Sequence, residues 1–76
     1  MQKLNYQFII IFNNKNAKKL NKFLQYNYDC QDVYLINEYK TNVYHLRSNN
    51  INSLCKVFNE LANNYSYKNI STIHKL

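Results

Sequence analysis

The sequence predicts an α+β fold: a four-stranded antiparallel sheet with two helices packed on one of its faces. Three observations carry that expectation. A short β-branched and aromatic run, "LNYQFIIIF", opens the chain at 4–12. Two segments, 15–27 and 51–65, place apolar residues at helical spacing. Three further short segments, 33–39, 42–48 and 67–76, read as strands. The order is β-α-β-β-α-β, with 1–76 forming a single domain.

Each element has a local reason. In the first strand, side chains alternate between faces, so Leu4, Tyr6, Phe8, Ile10 and Phe12 share one side while Asn5, Gln7, Ile9 and Ile11 share the other. One face is wholly apolar and the other mixed, the signature of a central strand covered on one side. Asn13 or Asn14 can cap the helix that follows. In that helix Ala17, Leu20, Phe23 and Leu24 form the apolar stripe, and Lys15, Lys18, Lys19 and Lys22 form a stripe opposite it. "VYLINEY" and "NVYHLRS" are the second and third strands, joined by a tight turn at Lys40 and Thr41. Asn49 and Asn50 can cap the second helix, where Ile51, Leu54, Phe58, Leu61 and Tyr65 repeat on one side, flanked by Cys55 and Ala62. "YKNISTIHKL" is the last strand.

Composition narrows the class. With 46% apolar and 18% charged residues, the chain reads as globular rather than disordered. It has no Gly, Pro or Trp, while Asn, Lys, Ile, Tyr and Phe make up 43 of 76 residues. All five have AT-rich codons, so a low-GC genome such as that of some bacteria, phages or plasmids accounts for the tyrosine and asparagine counts. Without glycine, Asn is the residue best suited to left-handed turn positions, and "FNNKN", "RSNNIN" and "LANNYSYKN" are expected to serve there. The net charge of +6 favours attraction to polyanions. Cys30 and Cys55 have neither CxxC nor zinc spacing; a single disulfide is one alternative, and the expectation adopted is that both are reduced, Cys30 in a loop and Cys55 as inert helix core, in a cytoplasmic protein. The N-terminal apolar run is interrupted by Asn5 and Gln7, and no stretch approaches the ~20 apolar residues of a membrane helix, so neither a secretory signal nor a membrane span is expected.

The element order resembles the ferredoxin-like split βαβ superfold along the whole chain. Right-handed crossovers would set both helices on the same side and place the first and third strands at the centre of the sheet. Enzymes and binding domains of that fold keep their chemistry at defined places, and this chain departs from each. The small CRISPR-adaptation nucleases carry an acid at the end of the first strand, where this chain has Asn13 and Asn14. Acylphosphate hydrolases use an arginine in a Gly-rich loop after that strand, where this chain has "NNKN". The heavy-metal-binding members need a CxxC there. RNA-recognition domains stack bases on aromatic residues of the two central strands, where this chain has Ile9 and Ile11 and a third strand "NVYHLRS". His45 and His74 have no sequence-local acid or nucleophile, and Asp29 and Asp32 are too few for a metal site. No catalysis and no cofactor are expected.

Two surfaces remain. The lysine stripe has no acid to balance it, and like charges at i, i+4 cost a helix about 0.2–0.5 kcal/mol each. A phosphate-docking ridge is one reason to keep it; a solvated helix face is the other. On the open face of the sheet, Ile9 and Ile11 are joined either by Val43, His45 and Arg47 or by Tyr44 and Leu46, according to register. The first set is adopted as outward, with Tyr44 and Leu46 in the core. The expected function is a small binding protein whose Lys15, Lys18, Lys19, Lys22, Ile9, Ile11, His45 and Arg47 dock on nucleic acid or a nucleoprotein complex, with Tyr26, Tyr28, Tyr65 and Tyr67 as nearby aromatics for single strands. The alternative is a protein-only module, either a homodimer or a phage- or plasmid-borne inhibitor of a host defence complex, in the manner of an anti-CRISPR protein.

Overall fold

In the computed structural model, which describes residues 4–13, 20, 22, 32–37 and 42–76, the sheet is organised around β1 (Tyr6–Phe12). Period-two alternation sets its faces: Phe8 and Ile10 are 0% exposed and Phe12 1%, whereas Ile9 and Ile11 on the reverse are half-buried. The other strands are β2 (Tyr34–Ile36), β3 (Val43–Ser48), β4 (Tyr67–Ile70) and β5 (His74–Lys75). Their order is β2-β3-β1-β4, with β5 also pairing β1. Every pairing is antiparallel. Because β1 and β2 both run antiparallel to β3, they run parallel to each other. The expected centre, first and third strands, is the observed one.

The register settles the third strand. Ile9 faces His45 and Ile11 faces Val43, while Phe8 faces Leu46 and Ile10 faces Tyr44. Tyr44 and Leu46 are therefore core, at 3% and 0% exposure, and Val43, His45 and Arg47 share the other face. The last strand is not continuous. Ile10 pairs with Ile70 and Tyr6 with Lys75, so β1 advances four residues where the last segment advances five. The extra residue is accommodated at 71–73, as in a β-bulge. Ser71 holds the gap: its N–H donates to the Ile9 carbonyl (2.8 Å) and its Oγ accepts from the Ile9 N–H (2.8 Å).

The helix α1 (Ile51–Asn64) lies on the Phe8/Ile10/Phe12 face. Asn50 caps it, its side-chain oxygen accepting from the N–H groups of Asn52 (3.0 Å) and Ser53 (3.3 Å). The backbone of Asn50 is extended, with φ −106°, so this asparagine works through its side chain and not through the left-handed conformation expected of it. Leu54, Val57 and Leu61 are each 0% exposed. Phe58 meets Phe8 edge-on, with ring centroids 5.2 Å apart and planes at 81°. The buried direction is thus centred between Leu54, Val57 and Leu61 and not on the Ile51–Cys55–Ala62 side. At ~100° per residue, Cys55 points well away from Leu54. Cys55 is an exposed free thiol, and Ile51 is 45% exposed; both differ from the core placement expected of them. Tyr65 and Tyr67 are partly buried against the core, Tyr65 beside Phe12 at 6.1 Å, so neither is the free surface aromatic expected.

Ser48, 0% exposed, joins three elements. Its Oγ donates to the Asp32 carbonyl (2.8 Å) and accepts from the Asn50 N–H (2.9 Å). It thereby ties the approach to β2, the end of β3 and the cap of α1. The Asn37 amide donates to the Val43 carbonyl (2.8 Å) and closes the β2–β3 connection.

The molecule is a small mixed α+β domain with an antiparallel sheet and one helix among the described elements. The expected helix over 15–27 falls almost wholly outside the described residues. Of its members, Leu20 and Lys22 have helical backbone, Leu20 fully buried in the same core and Lys22 exposed. The expected turn at Lys40 and Thr41, with Cys30, Tyr26 and Tyr28, also lies outside the described residues.

Candidate functional site

The face of the sheet turned away from α1 carries the candidate site. Cross-strand register arranges its side chains in rows. One row runs Tyr34, Arg47, Gln7, His74 across four strands. The next runs Ile36, His45, Ile9, and the third runs Val43, Ile11, Asn69. None of the five strands contains Asp or Glu.

The first row is a hydrogen-bonded chain. Arg47 Nε donates to Gln7 Oε1 at 2.8 Å, and the Gln7 amide nitrogen lies 3.2 Å from His74 Nε2. Because the Gln7 oxygen is occupied by Arg47, its nitrogen is the donor to His74. That makes His74 Nε2 an acceptor and leaves its Nδ1 to donate to the Thr72 carbonyl, 3.3 Å away. Gln7 is only 7% exposed and is held by both neighbours. Arg47 is half-buried, and its two Nη groups have no hydrogen-bond partner among the described residues. Tyr34, directly opposite Arg47 on the edge strand, is 51% exposed.

The middle row is more apolar. The Nδ1 atom of His45 is buried and has no hydrogen-bond partner, because Ile9 and Ile36 stand on either side of it in the register. Leaving such an atom unsatisfied costs about 1–3 kcal/mol. Toward β4, Ile9, Ile11, Asn69 and Ser71 line a shallow hollow of about 190 Å³.

The structure therefore brings four of the expected residues together on one face: Ile9, Ile11, His45 and Arg47. They are half-buried, shaded by neighbours in the sheet. Lys22 is exposed; Lys15, Lys18 and Lys19 lie outside the described residues. Sequence reasoning missed Gln7, Tyr34, Asn69 and His74. Parity in the first strand already put Gln7 beside Ile9, but its partners come from strands whose register only the fold supplies.

Among the described residues, no group of three or more His, Cys, Asp or Glu could hold a metal ion, and no helix is long and apolar enough to cross a membrane. Burial raises the Tyr44 phenol above its ordinary value; Tyr65 is raised by burial and, secondarily, by the Glu60 charge. Both belong to the core side. Compared with known protein families, curated proteins and solved structures, the chain matches none, so the functional reading rests on the geometry.

Proposed function

We propose that this chain is a small, non-catalytic, cytoplasmic binding protein that docks on nucleic acid or a nucleoprotein complex through its basic first helix and its open sheet face. The observation that carries the reading is Arg47: a guanidinium held at Nε by a buried glutamine, with its Nη groups unpartnered among the described residues, on a face whose described strands contain no Asp or Glu. The reading includes a helix over 15–27 and hence two helices on one face, the ferredoxin-like arrangement. Its support is the parallel course of β1 and β2 with β3 between them, and the burial of Leu20 in the α1-side core. Lys15, Lys18, Lys19 and Lys22 then form a cationic ridge along that helix.

Salt-dependent binding to a labelled single strand tests the proposal. Each phosphate neutralised on a single strand contributes about 0.7 to the slope of log affinity against log salt. Changing the four lysines together to Gln is expected to reduce the slope by up to about 3. Unchanged affinity for every polyanion would remove the ridge from the interface.

A second reading has its own observation. Ile9 and Ile11 border the apolar hollow of about 190 Å³, which suits a protein side chain. In that reading the chain is a homodimer or an inhibitor of a host complex, Ile9→Glu abolishes the complex while the monomer stays folded, and the complex survives both high salt and nuclease.

A further inference from the structure

We infer that Arg47 and Tyr34 form a nucleotide seat on the open face, in which the Arg47 fork takes a backbone phosphate of a single strand and the Tyr34 ring takes the adjoining base. The inference rests on the proposed nucleic-acid function and gives it a specific site, distinct from the lysine ridge.

Gln7 sits near the centre of the sheet at 7% exposure, where an apolar residue would pack without hydrogen-bonding demands. Its two partners explain how the amide is satisfied, and they have a consequence for Arg47. A surface arginine ordinarily samples many rotamers and loses that freedom on binding. Here Nε is tied to Gln7 at 2.8 Å, and Gln7 is itself tied to His74 at 3.2 Å. The guanidinium is tethered at Nε, and its Nη groups, unpartnered among the described residues, keep the planar fork that suits two oxygens of a phosphate. Tyr34 stands opposite Arg47 in the β2–β3 ladder, with side chains of such a pair about 5 Å apart at Cβ. That spacing lets one nucleotide reach both, its base on the ring and its phosphate on the fork. At 51% exposure the ring has a free surface, and single strands gain sequence-tolerant affinity from such stacking. Among the described residues the strands carry no Asp or Glu and Arg47 has no carboxylate partner, which favours a polyanion over a protein surface of mixed charge.

The test uses a fluorescein-labelled oligothymidylate and the full chain, read by anisotropy across a salt series, with circular dichroism confirming that each variant is folded. Tyr34→Leu is expected to weaken binding about tenfold without changing the salt slope, and Tyr34→Phe to retain it, because stacking needs the ring and not the hydroxyl. Arg47→Gln is expected to weaken binding and reduce the slope by about 0.7. Arg47→Lys keeps the slope but weakens binding, because the charge remains and the fork is lost. If the wild type binds and all four variants bind equally well while the four-lysine variant does not, the seat is overturned and the proposed function stands on the ridge alone. If the wild type binds no polyanion at any salt concentration, both fail together.

Discussion

Replacing Gln7 with leucine separates two roles for the buried amide: holding the sheet together, or placing Arg47. The hydrogen bond from Arg47 Nε at 2.8 Å is charge-assisted and worth about 1.5–3 kcal/mol, and the one to His74 at 3.2 Å about 0.5–1.5 kcal/mol. Their combined loss would be about 2–4.5 kcal/mol if the partners stayed dry. They do not: Arg47 is half-buried and His74 exposed, so both regain water. Leucine at a site 7% exposed also gains about 1.5–3 kcal/mol of apolar burial. The terms nearly cancel, and the expected stability change is within about 1 kcal/mol, a Tm shift of no more than about 4–8 °C. Thermal and urea unfolding by circular dichroism measure the stability. The Arg47 Hε resonance measures the placement, and it is expected to exchange with water faster once its acceptor is gone. A loss above about 3 kcal/mol would show that the network is primarily structural, and an unchanged Hε exchange rate would show that Gln7 does not fix Arg47. Either result breaks the link between the buried glutamine and the placement of the Arg47 fork.

Three further outcomes follow from the same structure. Asn50→Ala removes the cap that serves Asn52 and Ser53 and is expected to cost about 1 kcal/mol in urea unfolding, while Asn50→Asp retains stability; equal loss in both would assign the effect to something other than capping. Cys55, exposed on α1, is expected to react with a thiol reagent in the native protein as quickly as in the urea-unfolded chain, and strong protection in the native state would contradict the orientation of the helix. Tyr44 and Tyr65 have phenol values raised above the unfolded value near 10. The unfolded chain loses those protons first, so stability is full below pH 10 and falls as pH rises through the folded values; Tyr44→Phe should flatten that decline, and an unaltered slope would refute its cause.

What the sequence determined by itself is what depends on near neighbours. Two-residue alternation placed Phe8, Ile10 and Phe12 on one face of β1. The same alternation put Tyr44 and Leu46 opposite Val43, His45 and Arg47 once a register was chosen. A 3.6-residue period located α1, and an asparagine before it supplied the cap. These patterns need only the geometry of a strand or a helix turn. The tertiary structure decided the rest. The rotation of α1 about its axis depends on the sheet beneath it, so the choice of Val57 over Cys55 for the core was not local. The bulge at 71–73 arises where the last segment must match β1 along its whole length. The chain Arg47–Gln7–His74 joins residues 40 and 67 positions apart. No periodicity spans such separations; only the antiparallel ladders bring those side chains into one row, and with them the tethered guanidinium on which the proposed function turns.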